Sequence, residues 1–207
     1  MSLVLDHLAV VASNLAEGCE YVKDSLGIEV PFGGEHTRMG THNCLAKLGS
    51  DEFLEVIAVN PDAPKPHHPR WFNLDLHGNR APYLAHWVAR TDDIDSKLRT
   101  VDATVGNALE CVRGKLTWQL SVPDDGSFAF DGAFPSIIEW PSKPYPGAAM
   151  CDVGCSLVAF EIAHPDHKAL RQALQPHVND ERITLVEGAS IKLKASVNTP
   201  TGVRELT

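Results

Sequence analysis

Two stretches of this 207-residue chain begin alike, with an apolar strand pattern that carries one histidine and leads into a capped amphipathic helix pattern. The first reads Leu5-Asp6-His7-Leu8-Ala9-Val10-Val11. The second reads Leu84-Ala85-His86-Trp87-Val88-Ala89-Arg90, so His7 and His86 lie 79 residues apart. Each stretch ends its strand-rich part on a glutamate inside an apolar run: Phe53-Leu54-Glu55-Val56-Ile57, then Ser136-Ile137-Ile138-Glu139-Trp140. Those glutamates lie 84 residues apart, so the two copies match within a short loop insertion. Two copies of a histidine on the first strand and a glutamate on the last would supply four ligands to one central metal.

The first copy opens with alternating apolar residues from Leu3 to Ala12, which predict a strand. Ser13 and Asn14 offer N-cap side chains with Glu17 three residues beyond Asn14, and Leu15, Cys19, Val22 and Leu26 follow at helical spacing until Gly27. A glycine-rich loop, Phe32-Gly33-Gly34-Glu35-His36, leads to Gly40-Thr41-His42-Asn43. Strands over Cys44 to Leu48 and Phe53 to Val59 are joined by a Gly49-Ser50-Asp51 turn. The order is βαβββ, with the second strand expected around Ile28 to Val30. Residues 60–80 hold Pro61, Pro64, Pro66 and Pro69 and read as an irregular excursion, whose Trp71 and Phe72 pack over the site or against a partner.

The second copy repeats the order. Ala81 to Thr91 forms a strand, Asp92 caps a helix with Asp95 at its third position, and Leu116 to Val122 and Phe134 to Trp140 are strands. From about Ser156 the tail looks like a third, reduced copy. It has a strand at Val158 to Ala163, a helix from Asp166, strands at Ile183 to Val186 and Ile191 to Val197, and a last one at Val203 to Leu206. Roughly sixty residues make a marginal independent core, so the tail is expected to dock on the other copies. The expected division is 1–60 and 81–147 for the paired modules, 61–80 for the proline-rich connection, and 148–207 for the C-terminal partial module. The fold class is α+β.

A net charge of −9 without a basic stripe excludes a nucleic-acid binder, because phosphate contacts need clustered Lys and Arg. No apolar stretch is long enough to span a bilayer, and the N-terminus lacks a basic region ahead of an apolar core, so a cytoplasmic protein is expected. Five scattered cysteines without a CxxC pair read as reduced thiols packed as small hydrophobes.

The βαβββ repeat, with histidine at its start and glutamate at its end, resembles the vicinal oxygen chelate superfamily. The run Gly33-Gly34-Glu35-His36, then Gly40-Thr41-His42-Asn43, then Phe53-Leu54-Glu55-Val56-Ile57 is similar to its glyoxalase-like-domain branch. There a GG-x-H loop and a GT-x-N turn precede a YLE strand. Phe134-Pro135-Ser136-Ile137-Ile138-Glu139-Trp140 is similar to that branch's PF-x-I-x-W strand. The resemblance implies paired modules that curl an eight-stranded mixed sheet around a central cavity.

Within that scaffold, period-two alternation sets His7 with Leu5 and Ala9, Glu55 with Phe53 and Ile57, His86 with Leu84 and Val88, and Glu139 with Ile137. A carboxylate inside an apolar strand is costly unless paired or metal-bound, so Glu55 and Glu139 both call for a partner on the concave face. The four-ligand reading is His7, Glu55, His86 and Glu139 around Zn, Ni, Co, Mn or Fe, and without Glu55 the set becomes a two-His-one-carboxylate site suited to Fe(II). In the alternative the histidines are hydrogen-bonded cavity residues and no metal is held. His36 is a candidate base or substrate contact and Arg38 a candidate carboxylate partner, with Thr41 and Asn43 beside them. His36 and Asn43 also fit a purely loop-holding role. Trp87, Trp118 and Trp140 suit core or cavity wall, with Trp118 available to stack on a substrate. His67, His68, His77, His164, His167 and His177 read as surface or loop residues.

The expected activity is metal-dependent lyase, isomerase or dioxygenase chemistry on a small vicinal-oxygen metabolite, with Glu55 or Glu139 as proton shuttle. The alternative is a metal-free small-molecule binding protein. A homodimer fits scaffolds of this kind.

Overall fold

The computed structural model describes residues 2–101, 103–141 and 143–207. The first module runs β1 (Val4–Val11), α1 (Leu15–Leu26), β2 (Phe32–His36), β3 (Thr41–Lys47) and β4 (Phe53–Val59). A connection holding the single-turn helix α2 (Leu74–His77) leads to the second module: β5 (Tyr83–Arg90), α3 (Ile94–Leu98), β6 (Asn107–Arg113), β7 (Leu116–Val122) and β8 (Ser136–Glu139). These eight strands form one curled mixed sheet in the order β2-β3-β4-β1-β5-β8-β7-β6. β1 and β5 pair antiparallel at the centre, and each pairs parallel with the last strand of its own module. The sheet curls until β2 and β6 approach one another.

Local chemistry explains most of these elements. Asn14 caps α1, its side chain accepting from Glu17 N at 2.9 Å. In α3 the cap is Asp93, which accepts from Ser96 N at 2.8 Å, and not Asp92 as the spacing suggested. Two strand expectations are also corrected. The second strand of the first module lies at Phe32–His36, so Gly33 and Gly34 belong to a strand rather than a loop. β6 is required by the repeated βαβββ order but was not located, because among its residues only Cys111 is buried and no clean alternation marks it.

The tail forms a second sheet from β9 (Ser156–His164), β10 (Ile183–Glu187), β11 (Lys192–Thr199) and β12 (Gly202–Leu206), with α4 (His167–Leu174) between β9 and β10. β9 and β10 run parallel, a βαβ unit, and a hairpin completes the sheet on the far side of β9. Trp87 of β5 meets Phe160 of β9 edge-on at 5.7 Å, and Phe160, Ile162 and Val197 join the core that α1 covers. His77 and His164, expected on the surface, are both buried. Among the described residues no helix is long and apolar enough to cross a membrane.

The sheet has two apolar layers. The outer one, beneath the helices, holds Leu5, Leu8, Val10, Trp87, Ala89 and Ile137. The inner one, on the concave face, includes Val11, Ile57, Val88, Trp118, Leu120 and Ile138, roofed by Trp71 and Phe72 of the connection.

Candidate functional site

The floor of the concave face is set by one irregularity in β1. Its pairing with β5 shifts between Leu5 and His7, so Asp6 is the extra residue of a β-bulge. The bulge overturns the expected parity: Leu5 sits in the outer core with Leu8, while His7 faces the cavity. Asp6, fully buried, accepts from His7 Nδ1 at 2.7 Å. Its other oxygen accepts from Trp140 Nε1 at 3.0 Å and lies 3.7 Å from Arg90 Nη1. An acceptor-only carboxylate requires a proton on Nδ1, so Nε2 is the nitrogen turned to the cavity. That Nε2 stands 3.6 Å from Glu55 Oε2, and the imidazole stacks on Phe53 at 4.4 Å.

Glu55 lies on β4 opposite Ala9, on the concave face as the alternation required. Asn43 of β3 donates to its Oε1 at 2.5 Å. The same amide accepts from Arg113 Nη1 at 3.1 Å, so one side chain bridges a carboxylate of the first module to a guanidinium of the second. Burial lowers the Arg113 pKa, and the Glu55 carboxylate opposes that shift. β2 permits this crossing because it carries two glycines. A Cβ on Gly33 would stand 2.5 Å from Asn43 Oδ1, and one on Gly34 would stand 2.8 Å from Arg113 Cδ.

His36 ends β2 with its Nδ1 3.0 Å from Thr41 Oγ1 and its Nε2 3.5 Å from Asn43 Nδ2. Desolvation pushes its pKa down to about 4, with Glu55 working against the shift and Arg113 adding to it. Trp71 and Trp118 meet its ring edge-on at 5.1 and 5.9 Å. With Phe72, Leu120, Ile138 and Trp140 these residues line a small pocket that is partly open to solvent.

His7, Glu55, His36, Asn43 and Trp118 are therefore brought together, whereas Glu139 and His86 are not joined to them. β8 pairs with β5 so that Ala89 opposes Ile137 in the outer layer, and Glu139 follows Ile137 to that side. Its carboxylate accepts from Ile94 N at 2.6 Å and caps α3, where the helix dipole favours a negative charge. The register counterpart of Glu55 is instead Ser136, which opposes Val88 as Glu55 opposes Ala9. His86 accepts from Ser136 N at Nε2 (3.1 Å), with Ser136 Oγ at 2.9 Å, and donates from Nδ1 to Gly132 O at 3.2 Å. Both ring nitrogens are thereby engaged, and burial drives the His86 pKa to about 3. Arg38 is exposed, with Nη1 3.5 Å from Glu110 O, and does not line the pocket; Thr41 acts on His36.

The fold family implies a divalent ion held from both modules, and the residues present do not fit one. The first module offers His7 and Glu55, while the matching pair of the second is an imidazole closed onto a serine. Among the described residues no group of three or more His, Cys, Asp or Glu side chains is arranged to hold an ion. Asp6 and Arg113 escaped the sequence reading. Asp6 did carry a signal, since a buried carboxylate beside the strand histidine demands a partner. Arg113 had none, because its role depends on the sheet curling β6 back toward β2.

Paired βαβββ modules curling one sheet around an acidic, aromatic-walled cavity define the vicinal oxygen chelate scaffold. Residues 5–178 match the family model described as glyoxalase-like domain, and the chain belongs to that family. Among solved structures, a hypothetical protein from Staphylococcus aureus is 14% identical, with 93% of this chain and 88% of that one covered and a TM-score of 0.63. A variant of Streptomyces coelicolor methylmalonyl-CoA epimerase in complex with 2-nitronate-propionyl-CoA is 18% identical over 68% of this chain and 100% of its own, with a TM-score of 0.45. Methylmalonyl-CoA epimerase from Mycobacterium tuberculosis is 20% identical over 69% and 92%, again with a TM-score of 0.45. A search of curated proteins finds no match.

Proposed function

We propose that the chain is an enzyme that removes a proton from carbon next to a carbonyl in a small vicinal-oxygen metabolite, with Glu55 as the base. The observation that carries this reading is the Glu55–Asn43–Arg113 bridge in the wall of an aromatic-lined pocket. The carboxylate and the cation are held apart by one amide instead of neutralising each other directly. Glu55 takes the proton, the C–H electron pair moves onto the carbonyl oxygen, and the resulting enolate oxygen is stabilised by the Arg113 guanidinium. Asn43 holds both groups in place. Asp6 holds His7 with Nε2 toward Glu55, beside the carboxylate that takes the proton.

The metal expectation keeps support from the first module only. Two side-chain ligands fall short of the three or four that hold Zn²⁺, Ni²⁺, Co²⁺, Mn²⁺ or Fe²⁺, so no step is routed through an ion. A second reading, a binding protein without chemistry, draws on the aromatic walls. One experiment separates the two. The protein is incubated in D₂O with a panel of 2-hydroxy and 2-oxo carbonyl compounds, and proton NMR follows loss of the C–H signal next to the carbonyl. Exchange is expected for the wild-type protein and should slow by about 10²-fold or more in Glu55→Gln, since general-base catalysis is worth that much. Binding without exchange would favour the second reading.

A further inference from the structure

Trp71 carries an indole N–H that finds no acceptor among the described residues. The residue is 3% exposed, its ring lies edge-on to His36, and it lines the same pocket as Glu55 and Arg113. Its Nε1 is shielded from solvent and unpaired. Two other tryptophans show how this chain ordinarily settles that group: Trp87 donates to Ala133 O and Trp140 to Asp6, each at 3.0 Å. A buried donor left unmet costs about 1–3 kcal/mol, and native structures rarely tolerate one without a reason.

The backbone around Trp71 is held in place at further cost. Phe72 and Asn73, neither of them glycine, sit in the left-handed region at φ 57° and 51°. Such residues cluster at ligand sites and persist only where the surroundings over-determine them. Here the surroundings are explicit. Arg70 N donates to Asp75 Oδ2 at 2.8 Å and Arg70 Nη1 to Oδ1 at 2.6 Å, while Asn73 N donates to Gly126 O at 2.9 Å. This clip presses Trp71 and Phe72, stacked at 5.7 Å, down onto the cavity. It fixes the indole in the pocket wall before any occupant arrives.

We propose that Trp71 contacts the substrate directly: its indole N–H and the Arg113 guanidinium together take the carboxylate of a 2-hydroxy or 2-oxo acid whose flat apolar substituent lies among the aromatic walls. The inference rests on the reading above in placing the substrate in this pocket, and it adds the anionic class and the flat substituent. A carboxylate has the acceptor capacity to serve both donors at once. Trp118, Trp140 and Phe53 supply faces for an aryl or planar alkenyl group.

The test uses phenylglyoxylate as probe against ¹⁵N-tryptophan-labelled protein, with Trp71→Phe identifying the resonance. Binding is expected to move the Trp71 indole proton downfield, and Trp71→Phe, which keeps an aromatic ring and loses the donor, should bind the acid about tenfold more weakly. Methyl phenylglyoxylate should show little difference between the two proteins. The titration is repeated on Glu55→Gln, where the base is gone. A Trp71 shift there, alongside absent proton exchange in the wild type, would refute the base assignment and keep this inference. Saturable binding that leaves the Trp71 resonance unmoved, equal affinity in Trp71→Phe, or no binding of the acid at all would overturn it.

Discussion

His36 and His86 face the same interior and are held neutral there for the same reason, since desolvation dominates both. His36 meets Glu55, Arg113, His42 and His7 around it; His86 meets Gly132 O, with a weaker repulsion from His7. The consequence for stability has a definite sign. A histidine whose folded pKa is depressed takes up its proton more readily when unfolded, so its contribution is complete above the unfolded value of about 6.5 and is lost as pH falls toward the folded value. For this chain the window runs from about 6.5 down to about 4 for His36 and about 3 for His86. Each depressed imidazole contributes a slope of up to about 1.4 kcal/mol per pH unit inside its window. Urea midpoints should therefore fall steadily between about pH 6.5 and 5.5, before most carboxylates begin to titrate. The His86 ring proton should keep its neutral-form chemical shift at pH 5 by NMR. A flat stability profile over that interval, or a His86 midpoint near 6.5, would contradict the engaged-nitrogen description.

At the level of elements, β2 shows how a short edge strand shapes a site without contributing a charge. In an open strand, replacing glycine by alanine stabilises by roughly 0.5–1 kcal/mol, because the glycine loses more freedom on folding. At Gly33 the sign should reverse: the new methyl would meet Asn43 Oδ1 at 2.5 Å and Leu45 Cγ at 2.7 Å. Gly33→Ala is expected to destabilise by about 1–3 kcal/mol through overpacking. It would also displace the amide that bridges Glu55 and Arg113, read as a lower urea midpoint at unchanged slope. A midpoint that stays or rises would mean that the edge strand yields. The same strand shows what the sequence could carry. Gly33 and Gly34 are visible as a pair, but whether they form a loop that receives a ligand or a strand that lets side chains pass depends on contacts with Asn43 and Arg113, distant in sequence. Glu55 was legible because β4 alternates cleanly. Glu139 was not, since β8 is four residues long and its face is decided by pairing with β5. The β1 bulge is likewise a tertiary event, and a strict period of two placed Leu5 wrongly by passing over it.

Across the whole molecule, the tail's sheet is part of the interior that supports the site. Phe160 of β9 is fully buried against Trp87, which sits on β5 one residue from His86. Leu84 N donates to Thr207 O at 2.9 Å and Leu157 N to Leu48 O at 3.2 Å, so each module also holds the tail through its backbone. At the near edge Arg182 grips Glu52 with two bonds of 2.8 and 2.5 Å while it pairs with Asp180. A unit tied in this way should not unfold by itself. All four tryptophans lie at or before residue 140, so fluorescence reports on the paired modules, whereas far-UV circular dichroism reports on both sheets. The two probes should give one coincident urea transition. Phe160→Ala, a change confined to the tail, should lower the fluorescence midpoint as much as the dichroism midpoint, by the 3–5 kcal/mol or so typical of emptying a buried aromatic site. Two separated transitions, or a fluorescence midpoint indifferent to Phe160→Ala, would show that the tail is a separate folding unit, and the floor beneath His86 would then have to be stable without it.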